Sequence, residues 1–186
     1  MAQRELPAAA MSRADGSWDA DTAVERLYAA HWRSLVRLAV LLVRDTGTAE
    51  DVVQDAFVAV HGRWGRLRDP DRALAYLRQS VVNGARSVLR HRQVVDRHVQ
   101  RSAATPEAPD AALTFTERDR RHVVLDAMAR LPQRQREVLA LRYYLELSEA
   151  DIADALGISR GAVKSHASRG AAALRLLLAD QREDRP

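Results

Sequence analysis

Residues 147–169, which read LSEADIADALGISRGAVKSHASR, constrain the fold more than any other stretch of the chain. Ser148 is predicted to cap a first helix in a capping box with Asp151, and Ser159 is predicted to cap a second helix. Gly157 falls between the two helices, where a left-handed backbone conformation would be free of Cβ strain. The stretch therefore predicts a tight helix-turn-helix.

The second helix of this motif is predicted to have two unlike faces. The inward positions of the motif are small or aliphatic: Ile152, Ala153, Leu156, Val163, Ala167, Gly170 and Leu174. The outward face carries side chains that can all donate hydrogen bonds: Arg160, Lys164, Ser165, His166, Ser168 and Arg169. An ordinary helical hairpin with a solvated face is the alternative, but such a face usually mixes charges of both signs. The missing acids favour a DNA-binding face, on which one bidentate contact to a base edge contributes about 1–3 kcal/mol of discrimination.

The rest of the chain also shows helical periodicity, and no strand-length alternation bounded by hairpin turns appears. Apolar residues recur at intervals of three and four between residues 21 and 43. Thr48 and Asp51 resemble a capping box that opens a second helix. Asp69 followed by Pro70 is typical of the start of a third helix. We therefore predict an all-α fold.

A change in composition divides these helices into two small domains joined by a flexible linker. Residues 96–115 carry two prolines and no apolar period, which is typical of a linker. The predicted boundaries are a mobile N-terminal tail at 1–18, a first domain at 19–95, the linker at 96–115, a second domain at 116–180 and a C-terminal tail at 181–186. Within the first domain, GRWGRLRDPD at 62–71 is predicted to be a loop. Within the second, QRQREVLALRYYL at 133–145 is predicted to be one helix.

The charges are unevenly distributed along the first domain. Residues 19–60 hold seven acids and four arginines, whereas residues 61–101 hold ten arginines and three aspartates. An acidic half is thus followed by a basic half, and the formal net charge of the chain is +4. This arrangement predicts an anionic partner for the basic half and a different partner for the acidic half.

Several classes of function are excluded or disfavoured by composition. The absence of cysteine excludes disulfides, thiolate metal sites and a thiol nucleophile. The six histidines have no metal-binding spacing with carboxylates, and no phosphate loop, nucleophile elbow or pair of catalytic carboxylates appears. The longest apolar run is too short to span a bilayer, and the N-terminus lacks a signal-peptide pattern. We expect a cytoplasmic protein with no catalytic residues, no metal, no cofactor and no membrane segment.

Taken together, these segments resemble a bacterial RNA polymerase sigma factor of the extracytoplasmic-function type, in the sigma-70 family. LPQRQREVLALRYYLELS and the helix-turn-helix after it resemble the promoter-reading domain four of that family. LYAAHWRSLVRLAVLLVRDTGTAEDVVQDAFVAVHGRW, followed by DPDRALAYLRQSVVNGARSVLRHR, resembles its domain two. The resemblance implies a non-enzymatic subunit that binds core RNA polymerase and directs it to promoter DNA. Domain four would bind the minus-35 element, and domain two would stabilise melted minus-10 DNA.

The resemblance also implies three sets of site residues. Core RNA polymerase, contacted at the clamp helices and flap of its large subunits, would be bound in part by Asp51, Gln54 and Asp55. Minus-10 DNA would be bound by Arg66, Arg68, Arg72, Tyr76, Asn83, Arg86, Arg90 and Arg92. Minus-35 DNA would be bound by Ser159, Arg160, Gly161, Lys164, Ser165, His166, Ser168 and Arg169. The plainer alternatives are acids that only favour a helix N-terminus, a core role for Tyr76, and a helix cap or kink at Asn83.

Two other functions stay open at this point. A stand-alone helix-turn-helix regulator, acting as a dimeric repressor or activator, would use the same recognition helix without being a polymerase subunit. The acidic helix before the basic one favours the sigma factor, because a lone regulator does not need it. A structural or adaptor protein is the third alternative. The regulon, the inducing signal and the existence of an anti-sigma factor that masks these surfaces are not determined by the sequence.

Overall fold

A computed structural model of the chain describes residues 20–67, 70–99 and 117–183. The predictions made for the N-terminal tail, Arg68, Asp69, residues 100–115 of the linker and residues 184–186 of the C-terminal tail lie outside the described residues. The last helix continues to Glu183, beyond the predicted end of the second domain at residue 180. The helices are α1 (Ala20–Val43), α2 (Thr46–His61), α3 (Trp64–Leu67), α4 (Pro70–Val99), α5 (Glu117–Arg130), α6 (Gln133–Leu139), α7 (Glu149–Leu156) and α8 (Arg160–Glu183), and a π-helical turn (Ala140–Tyr144) continues α6. No strand occurs in the described ranges, and the all-α prediction is confirmed.

The connection between α1 and α2 differs from its prediction. Arg44 adopts a left-handed conformation with φ of 64° directly after α1, which ends that helix. Asp45 is the N-cap of α2, and its carboxylate accepts a hydrogen bond from the Thr48 backbone N–H over 2.7 Å. Hydrogen bonds from the Thr48 side chain and backbone lower the pKa of Asp45. The predicted capping box of Thr48 with Asp51 is therefore wrong, because the helix begins earlier and Thr48 is the donor to its cap.

The segment predicted as a loop before α4 contains the one-turn helix α3. Trp64 is only 8% exposed, so its indole holds this segment against α4, in the first group of helices, which comprises α1 to α4. α4 begins at Pro70, as predicted from the fixed φ of proline. The helix continues to Val99, beyond the predicted domain boundary at residue 95.

The first group of helices buries one face each of α1, α2 and α4. Leu38, Val53, Leu77 and Val81 are fully buried at the centre of this group. Burial of each such side chain stabilises the fold by about 1.5–3 kcal/mol. α2 and α4 approach so closely at Gly84 that a Cβ there would lie 2.9 Å from Val52 Cγ1. A side chain at residue 84 would therefore force the two helices apart or displace a buried valine.

The second group of helices comprises α5 to α8. A regular helix over 133–145 was predicted, but the Leu145 N–H donates to Ala140 O in the five-residue spacing of a π-helix. This turn leaves Leu141 fully buried and Tyr143 66% exposed. α8 packs tightly on α6, since a Cβ at Gly170 would lie 3.1 Å from Gln135 Cβ. The recognition helix is thus fixed to the rest of its group by close backbone contact.

The two groups contact each other through α4 with α7 and through α1 with α5 and the π-helical turn. Their buried residues form one continuous apolar cluster. Within the described ranges, the helices lack the combination of length and apolar character that crossing a membrane requires.

Candidate nucleic-acid interface

The helix-turn-helix forms as the sequence predicts. Ser148 Oγ accepts from the Asp151 N–H over 3.1 Å at the start of α7, and Ser159 Oγ accepts from the Ala162 N–H over 3.1 Å at the start of α8. Gly157, with φ of 64° and ψ of 42°, ends α7 in the left-handed conformation. The capping box is only half formed, because the Asp151 carboxylate accepts from the Ser148 hydroxyl over 2.6 Å. These caps fix the angle at which α8 leaves the turn.

The inward face of the motif is also as predicted. Ile152 and Val163 have no exposed surface, and Ala153, Leu156 and Ala167 are at most 8% exposed. These buried contacts leave the opposite face of α8 to the solvent.

Replacing Gly157 by alanine is expected to lower the free energy of unfolding by about 1–2 kcal/mol, because an L-residue is strained in the left-handed conformation. Nothing in the structure lies within 4 Å of the added Cβ, so the loss reports backbone strain alone. Urea denaturation followed by circular dichroism measures the change.

The matched control is Gly161→Ala in the first turn of α8. Its Cβ would meet nothing closer than Ser159 Oγ at 3.9 Å, and its helical backbone suits alanine. This variant is expected to be neutral or stabilised by up to about 1 kcal/mol. Equal destabilisation by both substitutions would contradict the role assigned to the turn.

The outward face of α8 presents most of the residues predicted to bind minus-35 DNA. The exposed ones are Ser159, Arg160, Gly161, Lys164, Ser165, Ser168 and Arg169. His166 differs, because its ring is half-buried and its Nδ1 is buried with no hydrogen-bond partner among the described residues. This histidine therefore offers less of its ring to a ligand than its neighbours do.

One residue that sequence reasoning missed adjoins this face. Glu149 Oε2 lies 3.7 Å from Lys164 Nζ, and Glu149 Oε1 accepts a hydrogen bond from Arg142 Nη1 over 3.4 Å. An acid in the first turn of α7 is favoured by the helix dipole, and this was the only local signal. Lys164 keeps 68% of its side chain exposed, so the acid orients it without covering it.

The residues predicted to bind minus-10 DNA do not all share one environment. Arg66, Arg72, Asn83 and Arg90 are exposed, whereas Tyr76 and Arg86 are partly buried. The Arg63 guanidinium carbon lies 5.3 Å from the centroid of the Tyr76 ring, and Arg63 also donates to the Tyr76 hydroxyl. Arg63 was not predicted, although it lies in the same arginine-rich block.

Arg92 has an internal role in this structure. Its Nη1 donates to Val43 O over 2.8 Å, and its Nη2 donates to Thr48 Oγ1 over 2.9 Å. The guanidinium thereby joins the end of α1 to the start of α2. Its predicted contact with DNA stays a prediction, and it would have to coexist with this bridge.

The acidic surface of α2 is a single stripe. Asp51, Gln54 and Asp55 are exposed at spacings of three and one, and Val58 continues the stripe with 67% of its surface exposed. Val58 was not predicted to belong to this stripe. The only sequence signal for it is an aliphatic residue on the same helix face as the charged ones. Asp55 also lines the groove between α2 and α4, together with Tyr76 and Asn83. The acidic stripe and the basic helix therefore border the same groove.

Comparisons with known proteins match both groups of helices. The model described as Sigma-70 region 2 matches residues 27–94, and the model described as Sigma-70, region 4 matches residues 121–174. The ECF RNA polymerase sigma factor SigL of Mycobacterium tuberculosis is 35% identical over 180 residues, which are 90% of this chain and 96% of SigL. The RNA polymerase sigma-E factor of Streptomyces avermitilis is 34% identical over 144 residues, 76% of this chain and 77% of that protein. The solved structure of CnrH in complex with the cytosolic domain of CnrY is similar with a TM-score of 0.62 at 26% identity, covering 87% of this chain and 95% of that chain.

Proposed function

The chain belongs to the sigma-70 family of RNA polymerase sigma factors, in the extracytoplasmic-function group, and from that premise we propose which surface of the chain binds each partner in transcription initiation. The protein binds core RNA polymerase and directs it to a particular set of promoters. The second group of helices binds the minus-35 element, and the first group stabilises melted minus-10 DNA. The observation that carries this proposal is the acid-free, exposed face that a capped helix-turn-helix presents on α8.

Recognition of the minus-35 element is assigned to that face of α8. Arg160, Lys164 and Arg169 are exposed cations that would neutralise phosphates, and an arginine or lysine can also bind the O6 and N7 of guanine. Ser159, Gly161, Ser165 and Ser168 offer small donors or close backbone approach at the N-terminal half of the helix. His166 would contribute at the margin, since its ring is half-buried.

Polymerase binding is assigned to the stripe of α2. Asp51, Gln54 and Asp55 would pair with basic residues of the clamp helices, and Val58 would supply an apolar contact between them. The flap of the polymerase would be contacted by the second group of helices. An acidic surface repels DNA, so this stripe favours a protein partner and argues against a stand-alone regulator.

Binding of minus-10 DNA is assigned to α4 and the segment before it. Arg66, Arg72, Arg86 and Arg90 would follow the phosphates of a single strand, and Tyr76 and Asn83 would contact unstacked bases. Stacking and phosphate neutralisation require no bond to be made or broken, so the protein acts by differential binding and not as an enzyme. It works in the cytoplasm, where an anti-sigma factor would act by covering these same surfaces.

The deciding experiment is run-off transcription on genomic fragments, with core polymerase alone and with the purified chain added. We expect new transcripts with defined 5′ ends that share upstream elements. No transcript from any fragment, combined with tight binding of the chain alone to a palindromic site, would overturn the proposal in favour of the stand-alone regulator.

A further inference from the structure

Two arginines of the set predicted to bind minus-10 DNA are bonded within the protein. Arg86 Nε and Nη2 donate to the carboxylate of the buried Glu137 of α6, both over 2.7 Å. Arg92 is bonded inside the first group of helices instead, to the residues at which α1 ends and α2 begins. Breaking such bonds leaves their acceptors without a donor, which is unfavourable where water cannot replace it. Use of Arg92 for a phosphate would therefore sacrifice contacts that the fold already makes.

The first of these contacts is at the end of α1. The last four carbonyl oxygens of an α-helix have no partner within the helix. Val43 is the last residue of α1, and its carbonyl oxygen accepts from Arg92 Nη1 over 2.8 Å. Arg44 follows in the left-handed conformation and ends the helix. Arg92 thus satisfies a carbonyl that the helix itself leaves without a donor.

The second contact is in the first turn of α2, which is weak by its own sequence. This turn consists of Thr46, Gly47 and Thr48, and threonine and glycine are poor helix formers. It contains no acid that would interact favourably with the helix dipole. Arg92 Nη2 donates to Thr48 Oγ1 over 2.9 Å, and the Thr48 hydroxyl donates in turn to the carboxylate of the N-cap, Asp45. The arginine, the threonine and the cap therefore form one chain of hydrogen bonds.

A guanidinium suits this position because it can bond two acceptors at once. Its N–H groups point in fixed directions, whereas a lysine ammonium carries the same charge on a single nitrogen. Arg92 Nη2 also lies 3.9 Å from Asp45 Oδ1, so the charge of the arginine faces the cap. The close approach of Gly84 to Val52 sets the spacing of α4 and α2 farther along. Arg92 fixes the end of α2 that this contact does not reach.

The turn held by Arg92 lies directly before the acidic stripe of α2. Asp51 and Asp55 follow Thr48 by three and seven residues, which places them one and two turns along the same side of the helix. Thr48, Asp55 and Arg92 line the same groove between α2 and α4. A surface that is ordered beforehand binds its partner more tightly than one that becomes ordered on binding. Order in the first turn of α2 therefore favours binding by the stripe.

We propose that Arg92 is a positioning residue for polymerase binding, whose guanidinium keeps the first turn of α2 ordered and so holds the acidic stripe in place. This proposal rests on the assigned role of Asp51, Gln54 and Asp55 in binding core polymerase. Arg92 lies on the basic helix but supports the surface for the protein partner. Its role is then separate from that of the arginines assigned to minus-10 DNA.

Arg92→Lys separates the two roles, because it keeps the charge that a phosphate requires but loses the bond to one of the two acceptors. The affinity of the full chain for core RNA polymerase is expected to fall about tenfold, as measured by fluorescence anisotropy. Thr48→Val removes the acceptor from the other side of the contact and is expected to lower the affinity as well. Arg33→Lys on α1 and Thr46→Val in the same turn of α2 are matched substitutions at exposed positions. Both controls are expected to bind core polymerase as the unchanged chain does.

Two further measurements distinguish positioning from a general loss of stability. In a chain that carries Asp51→Asn and Asp55→Asn, the stripe through which Arg92 acts is already impaired. Arg92→Lys is expected to cause a much smaller loss of affinity there than in the unchanged chain, because residues that act together are not additive. Hydrogen exchange followed by mass spectrometry is expected to be faster in peptides that cover residues 46–52 of Arg92→Lys and Thr48→Val, and unchanged in the rest of the first group.

The outcomes separate this proposal from the function on which it rests. Unchanged affinity for core polymerase in both Arg92→Lys and Thr48→Val overturns the positioning role even if the run-off assay succeeds. An equal loss with and without the acids of the stripe also overturns it, because Arg92 would then act on the fold as a whole. Weaker binding of fluorescein-labelled single-stranded DNA by Arg92→Lys, with polymerase affinity unchanged, would assign Arg92 to the phosphates instead. Failure of the unchanged chain to bind core polymerase would overturn the proposed function itself.

Discussion

Holoenzyme formed with the Arg160→Ala, Lys164→Ala, Arg169→Ala variant is expected to lose about 100-fold in promoter binding while the polymerase still binds the chain. Each lost contact to a phosphate or base costs about 1 kcal/mol or more, so three contacts cost about 3 kcal/mol. The remaining binding should also be less sensitive to salt. The slope of log affinity against log salt falls by about 0.9 for each phosphate contact that is lost. Electrophoretic mobility shift at a series of salt concentrations, on a promoter found by run-off transcription, measures both quantities.

A matched variant controls for the change of three charges. Arg33, Arg37 and Arg130 are exposed arginines on α1 and α5 that do not belong to the residues assigned to the α8 face. Their joint replacement by alanine is expected to change promoter affinity much less than the α8 variant does. Equal losses in the two triple variants would mean that overall charge, and not the recognition face, determines promoter binding.

Reversing the charges of Asp51 and Asp55 to arginine is expected to weaken binding to core polymerase by at least about 100-fold. Removing one partner of a buried interfacial charge pair costs about 2–5 kcal/mol, and reversal adds repulsion from the clamp helices. The variant should fold normally, because both side chains point to the solvent. Fluorescence anisotropy of labelled chain titrated with core polymerase measures the affinity.

Two exposed acids outside the stripe provide the comparison for this reversal. Glu25→Arg with Asp180→Arg changes the net charge by the same amount on α1 and α8. Its affinity for core polymerase should stay close to that of the unchanged chain. A stripe variant that bound core polymerase as well as this control would exclude α2 as the binding surface.

The local structure of the helix-turn-helix could be predicted because its determinants are local. Ser148 and Ser159 each satisfy a backbone N–H a few residues away, and Gly157 supplies a conformation that costs other residues energy. The predicted capping box of Thr48 with Asp51 was wrong, although helix capping there follows the same physical rule. Two polar residues three positions apart, Asp45 and Thr48, both had the right chemistry, and only the position of the first helical residue decided that Asp45 is the cap. An N-cap is therefore easier to predict where only one residue near the start of the helix has a side chain that can cap it.

The pairing of Arg86 with Glu137 could not be predicted from local patterns. The two residues are 51 positions apart in the chain and belong to different groups of helices. The charge of Arg86 indicated DNA because it lies in a basic block, and no local pattern assigned a role to Glu137. The overlooked signal is that Glu137 directly precedes Val138 and Leu139, which are buried. An acid that becomes buried needs hydrogen-bond donors in place of water, and for Glu137 one of them, Arg86, lies elsewhere in the sequence.

The π-helical turn sets the direction in which the chain leaves α6. An α-helix advances by about 100° per residue, and a π-helical turn holds one residue more than the α-helical path would need. Shortening the segment 140–144 by one residue would restore regular winding and rotate the chain that leaves it by roughly that angle. The non-helical residues 145–148 separate the π-helical turn from α7, and contact of α8 with α6 at Gly170 fixes the face of α8 that meets solvent. The turn therefore sets the point from which this connection starts, and a homologous chain without it would need a different connection to bring α7 and α8 to the same place.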